Sequence, residues 1–359
     1  MQNSPPGSAS LAMSARLQDY SQQRLDEAIA QDKDLLQTWC MRGAPYIVPT
    51  ALAAVFTAGV LPPSEVSMRH FLPGLVPAVD ELGMSVAQTV ELLRGEIGEV
   101  LTGRELTIEE LGAHLAPRIS GRLSAAQRGT WQRQGVQSAD QTVGEAVVHF
   151  AIRILTLQGV VCLAPRDGRR APFVLVDEWL GTAIPTADPR AARAELLRRY
   201  LHCYGPSTRA DFAAWLGVRV SDLDPWWSEV RAEMVPVHFG HPAFVLADDL
   251  ERLQGASMPR GVRLLPPHDP YTQARDRHTI VDQKHRTEVW GPVGDPGVIL
   301  LDGRIVGTWR AHKARRTLTM MVSAFHPLSA PDRHRIGIEA EQVGVVRGAS
   351  IVDVRFRHP

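Results

Sequence analysis

Along this chain, apolar positions on a helical period are repeatedly followed by short apolar runs split by a turn. Leu25, Ile29 and Ala30 share a helical face within 22–30; 35–41 then reads as a strand, and 46–48 as its return across Arg42-Gly43-Ala44-Pro45. A helix followed by a hairpin is the closing half of a winged helix. The order recurs with a long amphipathic helix over 85–100 and a new helix starting at Thr107, whose spacing to Glu110 is a capping box. A helix over 142–157 follows, then strands at 160–163 and 173–176 around the basic turn Arg166-Asp167-Gly168-Arg169-Arg170. The third copy is the clearest. A helix over 191–204 ends at Gly205-Pro206, a short helix runs through Phe212, Trp215 and Leu216 to a C-cap at Gly217, and another runs from Ser221 toward Val230. A hairpin of 234–239 and 243–247 over Gly240-His241-Pro242 completes a helix-turn-helix with a wing.

From 261 the texture changes. Strands are expected at 261–266, 298–301, 304–311 and 317–324, with Asp302-Gly303 as a hairpin dipeptide, then a helix over 333–345 and a strand over 350–355. The expected fold is therefore α+β: three tandem winged-helix units at 1–60 (incomplete at its N-terminus), 61–180 and 181–258, then a small mixed α/β domain, rich in strands, at 259–359. The loop 267–296 is long for a connection, and such loops carry function or move.

Composition narrows the partners. The 359 residues balance 39 basic against 39 acidic side chains, so any polyanion must be met by a local basic face. Of the basic residues only Lys33, Lys284 and Lys313 are lysines; this arginine bias fits phosphate binding and a GC-rich genome equally. Cys40, Cys162 and Cys203 are scattered and form no C-x-x-C pair, so neither a disulfide framework nor a cysteine zinc site is supported. The N-terminus has no signal-peptide pattern and no apolar run approaches the roughly 20 residues of a membrane span. The expectation is a cytoplasmic monomer with no membrane partner, nucleoid-associated when bound to DNA.

Wings and recognition helices point to duplex DNA, but the candidate recognition helix carries Asp222, Asp224 and Glu229 against Arg231 and is a poor groove reader. The basic residues lie elsewhere. Arg42, Arg169 and Arg170 stand on wings; Arg275 and Arg277 are in the long loop. Trp309, Arg310, Lys313 and Arg315, with Arg304 and Arg316, are on the C-terminal strands, and these side chains are the candidates for gripping a DNA backbone. His238, His241 and His268 raise the rival of a metal-dependent hydrolase, yet H-x-x-H at a turn lacks the convergent ligand set of a zinc site, and no metal ligand is assigned. No nucleophile elbow, P-loop or dinucleotide fingerprint stands in a fitting context.

Thr38-Trp39-Cys40-Met41-Arg42-Gly43 resembles the T-W-x-M-R-G stretch of the AlkZ/YcaQ-type winged-helix DNA glycosylases. Tyr204-Gly205-Pro206-Ser207-Thr208 with 211–217, Leu264-Leu265-Pro266 through Asp269-Pro270-Tyr271 and Arg275-Asp276-Arg277, and 301–310 are similar to that family's later signatures in the same order. The resemblance implies a DNA glycosylase without a cofactor, acting on alkylated purines in DNA repair or self-resistance. It also implies a catalytic motif of Gln, an apolar residue, then Gln or Asp, ahead of a Pro-containing stretch and an Ala-Arg helix. Gln2 matches its third position, with Met1 as the apolar middle, Pro5-Pro6 after it and Ala15-Arg16 beyond; the motif's first position falls ahead of Met1.

Little machinery is needed for that chemistry. A purine alkylated at N7 or N3 is cationic and already a good leaving group, so the protein must hold it, stabilise oxocarbenium character and place a water. The Gln2 carbonyl can orient water; Asp269, beside His268, is the second catalytic candidate and equally fits turn chemistry before Pro270. The rival reading is a DNA-binding protein or regulator without catalysis.

Overall fold

The computed structural model describes residues 1–135, 140–168, 170–184, 188–273, 277–291 and 294–357. They form two compact units: residues 26–247, and residues 1–25 together with 248–359.

In the central unit the helices begin where the sequence supplies caps. Thr107 and Glu110 close the expected box, the Thr107 N–H donating to Glu110 Oε2 at 2.7 Å and the Glu110 N–H to Thr107 Oγ1 at 3.3 Å, and the helix Ile108–Ser120 follows. The same reciprocal caps open Val86–Leu101 at Ser85 and Val143–Leu157 at Thr142. These three helices pack on one another around a continuous apolar core that includes Leu93, Ile97, Leu115, Val147 and Leu155. Three further helices, Glu65–Phe71, Val76–Glu81 and Ala125–Gln132, were not expected, although Ser124 with Gln127 is again a capping box.

The first two hairpins, β1 (Leu35–Trp39) with β2 (Pro45–Pro49) and β3 (Val161–Leu163) with β4 (Phe173–Leu175), join in a single sheet of order β2-β1-β3-β4. The junction is one antiparallel pairing, Gln37 opposite Leu163, and Leu106 bridges to Phe173 just before its helix. Pairing β1 with β3 removes two exposed edges that would otherwise invite foreign strands. The third hairpin, β5 (Met234–His238) with β6 (Pro242–Leu246), stands alone, with Ser207 bridging to Phe244. Gly217 ends the helix Arg209–Leu216 in the left-handed conformation that a side chain would resist, φ +94°. Ser221 does not start a helix; a short 3-10 turn intervenes and Pro225 begins Asp224–Val230, which buries Trp226 and Trp227. The Trp226 indole N–H donates to the Gly59 carbonyl at 2.6 Å.

The other unit is built on a five-stranded sheet of order β11-β10-β9-β8-β7: β7 (Val262–Leu265), β8 (Gly297–Leu301), β9 (Arg304–Ala314), β10 (Thr317–Ala324) and β11 (Ile351–Arg357). Asp302 and Gly303 both take positive φ in the β8–β9 turn, as the dipeptide predicts. The helix Ala330–Val346 is the crossover that lets β11 pair parallel to β10. Strand alternation splits the core between the two faces. Leu264, Ile299, Leu318 and Met320 face a cluster with Ile336, Ala340 and Leu11, the last from the helix Ser8–Ser14; Leu265, Val298 and Ile305 face Val281 and Val289 of the loop 267–296. That loop holds several short helical turns between 270 and 289. Among the described residues no helix is long and apolar enough to cross a membrane.

Gly297 stands opposite Trp309, and a Cβ there would lie 2.3 Å from the indole. Gly98, inside the helix Val86–Leu101, has open space. Gly297→Ala is expected to cost about 1–3 kcal/mol through overpacking, and Gly98→Ala to gain about 0.5–1 kcal/mol from helix propensity. Urea midpoints read both, and equal shifts in the two variants would refute the packing argument.

Candidate functional site

The catalytic candidates, Gln2 and Asp269, both fall in the unit that joins the ends of the chain. Gln2 is buried, 9% exposed. The turn after it is held by Asn3, whose Oδ1 accepts from the Gly7 N–H at 2.9 Å and the Ala9 N–H at 3.4 Å, and this feeds the helix Ser8–Ser14. Just past that helix, Arg16 donates to the Ala12 carbonyl and forks onto Asp269: Nη1 to Oδ2 at 2.8 Å and Nη2 to Oδ1 at 2.7 Å. The Asp269 side chain is fully enclosed.

The same carboxylate accepts the Tyr271 N–H at 2.9 Å, and the Asp269 carbonyl accepts from Thr272 Oγ1 at 2.9 Å. Asp269 therefore does the turn chemistry its position before Pro270 allows and at the same time neutralises Arg16. Its two oxygens are both held by the Arg16 fork, a geometry that orients the groups around the carboxylate.

The basic strand residues divide by depth. Trp309 is 2% exposed and its indole N–H donates to the Leu265 carbonyl at 3.0 Å; it is a core residue, and stacking on a base would require it to leave that core. Its neighbour Arg310 is exposed and donates to the Gly294 carbonyl at 2.6 Å. Lys313 donates to the Arg347 carbonyl at 2.7 Å, and Arg315, in the left-handed conformation, stands exposed in the β9–β10 turn beside Arg316. The far end of this hairpin, from His312 to Arg316, is exposed throughout and carries no acid. Arg277 lies over the Trp290 ring at 4.4 Å. Arg169 and Arg275 lie outside the described residues.

In the central unit Arg42 takes positive φ in the turn between β1 and β2 and reaches the Trp215 carbonyl and, at 3.0 Å, the Tyr46 hydroxyl. It thereby ties the β1–β2 turn to the end of the helix Arg209–Leu216. Arg170 pairs with Glu110, whose carboxyl is held below its usual range by the Thr107 N–H and by Arg170 itself.

No pattern in the chain singles out Arg153. This side chain lies 4.4 Å from the Trp39 ring, donates to the His149 carbonyl at 2.7 Å and the Gly43 carbonyl at 3.4 Å, and has no carboxylate partner among the described residues. Burial pushes its guanidinium down to about 10 and also lowers His149, to which the Arg153 charge adds. A buried cation on carbonyls and an aromatic face keeps its charge available to an anion. Among the described residues no group of three His, Cys, Asp or Glu side chains converges on a point where a metal could sit.

Arg16→Ala leaves the Asp269 charge buried without its cation. Because Arg16 itself is about one-third exposed, the expected loss is about 2–3 kcal/mol, at the lower end for such pairs. Adding Asp269→Asn should restore part of it, since the uncompensated charge is gone. A urea midpoint unmoved by Arg16→Ala would show that the pair does not hold this unit together.

Comparison with known proteins places this geometry. Residues 1–345 match the family described as DNA glycosylase AlkZ-like. A curated relative, the interstrand DNA cross-link repair glycosylase of Streptomyces sahachiroi, is 26% identical over 341 residues, which covers 90% of this chain and 82% of the relative. The solved structure of the Streptomyces sahachiroi DNA glycosylase AlkZ superposes with a TM-score of 0.73 at 23% identity, over 99% of this chain and 91% of that one, and so shares the mixed α/β fold. The match takes in the Gln2 turn, the Arg16–Asp269 pair, the central unit and four of the five strands of the C-terminal sheet, and on it the chain belongs to the DNA glycosylase AlkZ-like family.

Proposed function

We propose that this DNA glycosylase hydrolyses the N-glycosidic bond of purines carrying bulky N7 or N3 alkyl groups, crosslinked purines among them. The observation that carries the reading is the family match, which begins at residue 1 and so includes the buried Gln2. The bond between C1′ and the purine nitrogen breaks with its electron pair moving to the base, which cancels the positive charge introduced by alkylation. Water adds its oxygen to C1′ and releases a proton to solvent. A cationic leaving group departs without an external acid or a metal, so no cofactor enters the step. Gln2 serves by accepting a hydrogen bond from the water and fixing its approach. Asp269 acts through Arg16 as a positioning residue for the turn that carries Gln2.

Duplex DNA is the partner, and a monomer in the cytoplasm, on the nucleoid when bound, suffices. The finer architecture belongs to the same proposal: winged-helix units within 1–60, 61–180 and 181–258 and a strand-rich domain over 259–359. Arg42, Arg170, Arg277, Arg310, Lys313 and Arg315 serve as backbone contacts, with Arg169 and Arg275 beside them, while Trp309 supports the strand that bears Arg310. The acidic groups of Asp224–Val230 are engaged with arginines, Asp224 with Arg209 and Glu229 with Arg190. Such a helix suits binding without sequence preference, as a repair enzyme requires.

The test is a duplex with a defined N7-alkylguanine, incubated with the native chain or Gln2→Ala, with abasic sites revealed by alkaline cleavage. Native protein should give strand breaks, and Gln2→Ala should lower their rate by about 10²-fold or more while duplex affinity is retained. Binding without breaks in the native chain would replace this reading by a non-catalytic DNA-binding relative.

A further inference from the structure

Among the described residues, three buried side-chain nitrogens without a hydrogen-bond partner occur in one stretch of the loop 267–296: Arg277 Nε, His285 Nε2 and Arg286 Nε. The two arginine Nε atoms are N–H donors, and an unpaired buried donor costs about 1–3 kcal/mol, and more on a charged group. Such a cluster calls for an explanation in terms of something the site is built to hold. The frame around it is firm. Val281 and Val289 sit in the core against Leu265 and Ile305, and the Trp290 indole donates to the Thr272 carbonyl at 3.2 Å. The His285 ring stacks on Phe325 at 4.1 Å, with Nδ1 2.6 Å from Glu288 Oε1.

On this frame Arg277 and Arg286 stand near enough for their charges to act on one another. Trp290 donates its backbone N–H to the Arg286 carbonyl at 2.8 Å, which sets Arg286 and Trp290 one helical turn apart, and Arg277 lies on the Trp290 ring. Burial pushes the Arg277 guanidinium below its ordinary range; the Asp295 carboxylate opposes this and the Arg286 cation adds to it. Stacking on Trp290 accounts for the place of Arg277 alone. Holding a second cation beside it, with inner N–H groups unpaired, is unfavourable in the free protein and becomes favourable when an oxyanion with several acceptor oxygens lies across both.

We propose that Arg277 and Arg286 form a two-armed clip for a single phosphate, and that the phosphate is one internucleotide linkage of the DNA substrate. The choice of DNA over free phosphate rests on the glycosylase reading above; the clip itself rests on the geometry. Both arms grip the same group, so their losses do not add.

Two measurements on the full chain test this: affinity for an undamaged duplex across a salt series, and thermal unfolding in inorganic phosphate against chloride at matched ionic strength. Phosphate should raise the Tm of the native chain and not that of Arg277→Gln, Arg286→Gln or the double variant. Each single variant should make the slope of log affinity against log salt shallower by about 0.9, and the double variant by no more than that. A loss of about 1.8 in the double variant would mean two independent phosphate contacts and overturn the shared clip. A Tm effect that the variants abolish without any change in slope would leave a free-phosphate site and overturn the DNA assignment. Absence of both effects would overturn the clip. A native chain without salt-dependent duplex affinity would instead refute the glycosylase reading, and the Tm arm would still judge the clip. Arg286→Lys keeps the stem and the charge but not the fork, and guards against misfolding in the Gln variants. It should bind the duplex severalfold more weakly with an unchanged slope, and unchanged affinity would count against the clip.

Discussion

A carboxylate with no exposed surface must have a cation against it, and in this protein the cation comes from 253 residues away. The Arg16–Asp269 pair joins two local structures. On the Arg16 side, the helix Ser8–Ser14 is set with Leu11 in the core, and with it the Gly7 turn and the Asn3 hydrogen bonds that follow Gln2. On the Asp269 side, the carboxylate and carbonyl shape the turn through Tyr271 and Thr272, and Tyr271 in turn donates to the Gly303 carbonyl at 2.7 Å in the β8–β9 turn. The pair thus links the end of the helix that follows Gln2 to the start of the loop 267–296.

The second theme is how a chain of zero formal charge presents a cationic face. Many of its arginines are spent internally: Arg133 on Glu81, Arg190 on Glu229, Arg198 on Glu233, Arg219 on Asp222. Arg42, Arg153 and Arg310 are held differently, by carbonyl groups, while Arg277 rests on an indole. Carbonyls and aromatic faces fix a guanidinium in place without cancelling its charge. The field outside the protein therefore depends on which basic groups are paired with acids and which are held by neutral groups, and net charge says little about it.

Local rules carried much of the fold in the sequence. The capping box at Thr107 and Glu110, the C-cap at Gly217 and the Asp302-Gly303 turn all act over a few residues, and each forms where its pattern stands. What failed to show were pairings with no local cause. Gln37 opposite Leu163 unites two hairpins that look separate on paper, because nothing in a strand's own sequence states which edge it will meet. The depth of Trp309 was hidden for a similar reason: it depends on Gly297 across the sheet leaving room for an indole. At the candidate site, Gln2 and Asp269 could be picked out by their resemblance to family motifs. The pairing of Asp269 with Arg16, the carbonyl-held Arg153 and the neighbourly placement of Arg277 and Arg286 are products of tertiary structure and carry no sequence signature.

The grouping of residues 1–25 with 248–359 also orders events in time. A chain made from its N-terminus has Arg16 long before Asp269, so this charge pair cannot form through most of synthesis. The central unit can fold on its own contacts while the ribosome is still at work, whereas the ends can only come together afterwards. An unfinished chain would then hold Arg16 without its carboxylate, and the helix Ser8–Ser14 without the sheet against which Leu11 is buried.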